Sequence, residues 1–441
     1  MGPNHMPTLM GHSSRFTSFA SSIPGPDSIQ RREYANGMIV LVKENFSSPV
    51  VVIDGASRYG AVDVKREQAG LANFMASTLT RGTTRRTFQQ IYEAIESVGA
   101  SIQVSAGLNA SGFGGKSLAE SLPLIVDVLA DVMQNPTFPP AEVEKERGEL
   151  LTDLEERAYD TRRMASLTMR ELLYPPSHPY SFSSAGYIDT IRALTRDDLE
   201  RFYREHVGAK GMIVSIVGAV KAEEAFQLWE DKFGHWIGAT GSAASPPPAP
   251  KVTELRRQSV AIPGKTQADI ALGLIGPARA DGDYYAASLC NSILGVFGMY
   301  GRLGAKVRVQ GGMAYYAYSQ VDGGLGPGAW HVSAGVHPSK VDGAVKLIRD
   351  EIRRIRDIKV SARELADNKS FYTGSLPLRL ETNDGVADQL TNIELYGLGL
   401  DYLQRYDKVV NAVTVQQVQA AAQKYLDPDA FALAVAGPFE R

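Results

Sequence analysis

Seven histidines and one cysteine are the side chains from which this 441-residue chain could build metal or nucleophilic chemistry. A thiolate zinc site or an internal disulfide needs at least two sulfurs, so Cys290 alone excludes both. Its neighbours, Ser288-Leu289 and Asn291 to Leu294, read as a helix interior, where a thiol acts as a small hydrophobe. His5, His12, His178, His206, His235, His331 and His337 include no pair four residues apart, the spacing that sets two imidazoles on one helix face. His178, before Pro179, reads as a loop residue. Gly295 to Gly301 (GVFGMYG) has the glycines of a phosphate loop, but no G-K-[ST] or G-x-G-x-x-G follows a strand there, so it reads as a turn between helices. Arg349 to Arg356 (RDEIRRIR) interleaves Asp350 and Glu351 with its basic residues and turns Ile352 and Ile355 to an apolar face. That is a solvated amphipathic helix rather than a nucleic-acid surface. The whole-chain balance of 46 basic and 49 acidic residues likewise gives no broad footprint for nucleic acid or an anionic membrane.

The elements that must position any site come in two sets. Length predicts two or three domains, and the clearest break is Gly238 to Pro250 (GATGSAASPPPAP), which cannot propagate a helix or a ladder. On this reading residues 28–237 form one domain, 238–250 a linker and 251–441 a second. A repeat at an offset of 219 residues relates them. Thr195 caps a helix that reaches His206-Val207 and leads to the strand Met212 to Gly218; Thr414 caps a helix that reaches Tyr425-Leu426 and leads to Ala430 to Gly437. Upstream, the helices Leu122 to Met133 and from Glu142 correspond more loosely to Val345 to Ile358 and the helix capped by Ser361. Strands at Met38 to Val42, Val50 to Ile53 and Ala268 to Leu274 precede these pairs. Helical pairs mixed with strands predict an α+β fold: two homologous domains from an internal duplication, each a mainly antiparallel sheet with helices packed on one face. No run approaches the ~18 apolar residues of a membrane span. Compartment stays open between a bacterial periplasm, with a signal removed, and the cytoplasm.

Gly70 to Thr83 (GLANFMASTLTRGT) resembles the active-site helix of the pitrilysin-type, or insulinase-type, zinc peptidases, whose pattern is G-x-x-H-F-x-E-H-x-x-F-K-G-T. In that H-x-x-E-H motif two histidines bind zinc and the glutamate activates water. Here the three positions hold Asn73, Ala76 and Ser77, while Gly70, Phe74, Gly82 and Thr83 still fit. The third ligand of the family is a glutamate on a helix resembling Glu146 to Leu154, which places Asp153 at that position. The resemblance extends over most of residues 28 to 437, through the N-G turn of Asn36-Gly37, the G-A-x-I of Gly99 to Ile102 and the H-P of His178-Pro179. It also implies the duplication.

The same resemblance implies what the second half keeps. Family members carry R-x6-Y in that domain, and Val307 to Tyr315 (VRVQGGMAY) preserves the spacing, with Val309 where the motif has an acidic residue. By resemblance, Arg308 and Tyr315 would bind the substrate carbonyl near the scissile bond, where a guanidinium and a phenol can stabilise developing charge. The bland alternative is a solvated arginine and a tyrosine packed in a sheet. The expectation is a non-catalytic subunit of a heterodimeric zinc peptidase in the branch that includes mitochondrial processing peptidase. It would hold no metal itself. Zinc is expected in a catalytic partner of similar fold carrying H-x-x-E-H, and unfolded or short peptides are the expected substrates. The alternatives are a structural subunit like the core proteins of cytochrome bc1 complexes, or a protein that binds peptides without cutting them.

Overall fold

The structure is a computed structural model that describes residues 23–240, 245–296 and 301–439. His5, His12, part of the Gly238 to Pro250 break and most of the Gly295 to Gly301 turn lie outside the described residues.

Eleven strands of the described residues form two sheets. In chain order they are β1 Gln30–Glu33, β2 Ile39–Glu44, β3 Val50–Ser57, β4 Ser101–Ala106, β5 Ser111–Leu118, β6 Ile213–Gly218, β7 Arg256–Ala261, β8 Ala268–Ile275, β9 Ala314–Val321, β10 Ala329–Val336 and β11 Ala432–Gly437. The first sheet runs β1-β2-β6-β3-β5-β4 and the second β7-β11-β8-β10-β9. Each has one parallel pair, β2 with β6 and β7 with β11, and the other pairs are antiparallel. With β1 set aside, the two orders are the same order. The helix Arg196–His206 and β6 recur as Val415–Tyr425 and β11, both displaced by 219 residues. Thr195 and Thr414 cap those helices, each hydroxyl accepting from the backbone N–H three residues on, at 3.2 Å. Asp198 and Gln417 close the capping boxes.

Alternation along the strands explains how each sheet is covered. In β3, Val51 and Ile53 face the first half's own helices, among Phe74, Ile125 and Trp229. Val52 and Ala56 face the other way, as do Leu41 of β2 and Ile213 and Val217 of β6. The helix that covers that second face is Asn383–Leu395, from the other half of the chain, through Val386, Leu390 and Ile393. Its polar flank ties it down: Asn383 Nδ2 donates to the Val50 carbonyl at 3.0 Å, and the Thr391 hydroxyl meets Ser215 Oγ at 3.0 Å. The reciprocal helix is Thr161–Leu173, from the first half, which lies on the second sheet. Ala165, Met169 and Leu173 pack there on Ala432, Ala434 and Ala436 of β11. The approach is close enough that a Cβ on Gly273 would come 2.1 Å from Met169 Sδ. The halves therefore exchange helices, and each sheet is packed on both faces.

His178 does more than the loop reading allowed. It is 5 % exposed, and its Nδ1 accepts the Tyr180 N–H at 3.1 Å. That leaves the proton on Nε2, which donates to the Pro247 carbonyl at 3.1 Å and holds the proline run against the first half. Cys290 sits as expected, buried in the helix Tyr284–Asn291, with burial pushing its thiol up to about 12.

Leu390→Ala should cost about 2–5 kcal/mol. Because Leu390 packs under the first sheet while belonging to the second half, urea unfolding followed separately at Trp229 and at Trp330 should shift by the same amount. A shift seen by one probe alone would mean the halves are not coupled through this helix. Burial lowers both His178 and His331 below the ordinary histidine value of 6.5, so the unfolded chain takes up protons first as pH falls. Stability should be full above about 6.5 and decline as the pH drops below it. Thermal melts from pH 8 to 5 should show that decline, and His178→Gln should make it shallower.

Candidate functional site

The helix Leu71–Thr78 carries Asn73, Ala76 and Ser77, the three positions that the resemblance sets against H-x-x-E-H. It starts at Gly70, whose φ is +96°, and a Cβ there would lie 2.6 Å from Ile191 Cδ1 and 3.0 Å from the Ala185 carbonyl. Only glycine suits both demands. Phe74 is fully buried, with the Arg147 guanidinium over its ring at 5.2 Å. Thr83 donates to Asp131 at 2.7 Å, inside a network that Arg86 and Asp127 complete. The parts of the motif that persist in this chain are thus those that build the local fold.

The parts that would do chemistry sit differently. Ala76 is fully buried, so packing leaves no open space at that position. Asn73 is half-buried and its amide has no hydrogen-bond partner among the described residues. Ser77 is half-buried and returns its hydroxyl to the Phe74 carbonyl at 3.1 Å, a helix-internal bond.

On the facing helix, Pro140–Ala158, Asp153 is exposed and paired with Arg163 at 2.7 Å, and that bond holds its carboxyl below the usual range. Glu146 and Glu149 both hold Arg81, the latter at 2.6 Å. Sequence reading did not pick out this clamp; the visible signal was Arg81 beside Gly82-Thr83 and two glutamates three residues apart on one helix. Each of these carboxylates already faces a guanidinium, with Arg81 shared between Glu146 and Glu149, so a cation arriving there would compete with an arginine. Among the described residues no three His, Cys, Asp or Glu side chains converge on a metal position.

Arg308 and Tyr315 flank a tight connection into the second sheet. The segment Gly304–Gln310 forms π-helical turns pinned by the buried Leu303 and Val307. The Gly312 N–H then donates to the Arg308 carbonyl at 3.1 Å, and Gly312 takes φ +54° to enter β9. Tyr315 lies where the β9–β10 register shifts, opposite Gly335/Val336, and such a bulge re-aims a side chain. Tyr315 is 60 % exposed, Arg308 and Val309 are exposed, and neither the guanidinium nor the phenol has a hydrogen-bond partner among the described residues. No hydrogen bond, ion pair or ring contact joins this pair to Asn73, Ser77 or Asp153 among the described residues.

Next in β9, Tyr316 and Tyr318 behave in the opposite way. Tyr316 donates to the buried Asp269, which also accepts from Thr161 of the exchanged helix, and Arg162 lies over both rings at 5.1 and 5.2 Å. Of four consecutive tyrosine-rich positions, the structure ties down two and leaves Tyr315 free.

The family model described as Insulinase (Peptidase family M16) matches residues 40–172, and that described as Peptidase M16 inactive domain matches residues 193–372. An uncharacterized zinc protease of Streptomyces coelicolor is 27 % identical over 423 residues, 93 % of this chain and 90 % of that protein. The beta subunit of mitochondrial-processing peptidase from Mus musculus is 22 % identical over 92 % of this chain and 84 % of its own length. A crystal structure described as a peptidase M16 inactive domain from Pseudomonas fluorescens superposes with a TM-score of 0.86 at 25 % identity, covering 93 % of this chain and 98 % of that one. With two halves of one topology and family matches in each, the chain belongs to the insulinase family of peptidases, in its mitochondrial-processing-peptidase-like branch.

Proposed function

We propose that this chain is the non-catalytic subunit of a two-chain zinc peptidase, and that it offers Arg308 and Tyr315 to the active site of a partner. The observation that carries the reading is a contrast within one molecule. The helix where a metal site would stand is closed by Ala76 and bordered by carboxylates already paired with arginines, whereas Arg308 and Tyr315 stand exposed with their donors unpartnered. The match of residues 193–372 to an inactive-domain family supports it.

In this reading a partner of similar fold supplies H-x-x-E-H, whose residues would hold a zinc able to supply Lewis-acid activation of the carbonyl and of water. Arg308 donates to the carbonyl oxygen as it gains charge, and the Tyr315 phenol donates beside it. The bulge at Tyr315 and the buried Leu303 and Val307 fix the backbone from which the two donors project, and substrate binding orders the side chains themselves. Substrates are short or unfolded peptides, because two such chains facing each other enclose the site.

The experiment is reconstitution with the H-x-x-E-H chain of the same source. The mixture should cleave a quenched fluorescent peptide faster than that chain alone; Arg308→Ala should lower kcat by about 100-fold and Tyr315→Phe by somewhat less. Equal rates for partner and mixture, or full activity in both variants, would leave only a structural role. At the degenerate site, Ala76→Glu should destabilise the isolated chain by about 2–4 kcal/mol, since it overfills packed space and buries a carboxylate. Chemical denaturation measures it, and an unchanged midpoint would mean the position is open after all.

A further inference from the structure

A cavity of about 590 Å³ lies in the second half, bounded by the helices Tyr284–Asn291, Ala362–Arg379, Asn383–Leu395 and Tyr402–Ala412. Six tyrosines and two arginines line it, and no Asp or Glu does. Arg279 lies in its wall with four rings around the guanidinium: Tyr284 at 4.4 Å, Tyr285 at 5.4 Å, Tyr402 at 5.5 Å and Tyr396 at 6.0 Å. Its Nη2 donates to the Tyr402 hydroxyl at 2.6 Å and to Tyr285 at 3.2 Å. Nε and Nη1 have no hydrogen-bond partner among the described residues, and no carboxylate pairs with this cation there.

The donor count is lopsided. The Tyr285 and Tyr402 hydroxyls bond to each other, so one of the two phenol protons is left to donate elsewhere. Burial pushes the Tyr285 phenol up, which keeps it a donor at neutral pH. Arg379, exposed at the mouth, meets only the Tyr406 hydroxyl, at 3.3 Å. The nearby carboxylate, Asp388, has its oxygens on the amides of Gln389 and Asn392, both at 3.0 Å. A concave site with two arginines, a spare phenol proton and no acid lacks a counter-anion, and its aromatic walls suit an apolar body.

We propose that this cavity is a binding site for a carboxylate carried on an aromatic or apolar group, with an unpartnered N–H of Arg279 donating a charge-assisted hydrogen bond to the carboxylate. Neither Arg308 nor Tyr315 lines this cavity. The source of the carboxylate is either a peptide C-terminus or a free small acid, and the test separates them.

Isothermal titration of the full chain with N-acetylphenylalanine should show saturable binding that N-acetylphenylalanine amide does not. Arg279→Gln should weaken it by at least about 30-fold, the cost of removing one member of a buried hydrogen-bonded charge pair. Arg279→Lys should restore only part, since an ammonium cannot hold both tyrosine hydroxyls in the guanidinium's plane and still present a donor to the carboxylate. Because Arg279→Gln removes the centre of an aromatic cage, Arg379→Gln serves as the second variant; its side chain is exposed, folding should be untouched, and binding should drop about two- to five-fold. Tighter binding of Ala-Ala-Phe than of N-acetylphenylalanine supports the site with a peptide terminus as the source, and the reverse order supports it with a free acid. Equal binding of acid and amide, inorganic phosphate binding in place of the carboxylates, no binding of either, or full affinity in both arginine variants would overturn the proposal.

Discussion

The structure depends on the exchange of two helices between its halves. A sheet whose residues alternate between two apolar faces must be covered twice, and each half has helices enough for one face. Val52, Ala56, Ile213 and Val217 would meet water if Asn383–Leu395 did not come across from the second half, and Ala432, Ala434 and Ala436 would do so without Thr161–Leu173. At about 25 cal/mol per Å² of apolar surface, neither face could be left open without loss of the fold. The duplication makes this possible: a helix that can cover one sheet in a half can cover the equivalent sheet in the other.

That constraint separates what was legible in the sequence from what was not. The repeat was legible because cap, helix, strand and closing glycine recur in register at Thr195 and Thr414, and these are local signals. The exchange was not, since nothing in the pattern of Thr161–Leu173 states which sheet its apolar stripe meets. β5 escaped notice for another reason. Gly112, Gly114 and Gly115 give it little strand propensity, yet a Cβ on Gly114 would come 2.5 Å from the Ile53 carbonyl and one on Gly115 2.8 Å from Ile125 Cγ2, so these two glycines are needed for close packing. Likewise His178 read as a loop residue because its partner Pro247 lies 69 residues away.

The candidate site divides along the same line. Residue types alone revealed that Asn73, Ala76 and Ser77 cannot bind zinc as imidazoles and a carboxylate would, and spacing alone singled out Arg308 and Tyr315. Burial and pairing needed coordinates: that Ala76 is sealed, that Asp153 belongs to Arg163, and that Arg81 holds Glu146 and Glu149 together. Physical selection acts differently on the two groups. Gly70, Phe74 and Thr83 carry backbone geometry, core packing and a buried hydrogen bond, so the fold keeps them whether or not a metal is present. Ala76 instead contributes packing and Ser77 a helix-internal bond, neither of which asks for a particular polar group at its position.

The account stands on the claim that the metal chemistry resides in another chain. The most direct measurement is zinc content by elemental mass spectrometry, made on the isolated chain purified without chelator and on the complex it captures from its native source. The account predicts no zinc in the isolated chain and one ion in the complex. One tightly held zinc per isolated chain would contradict it.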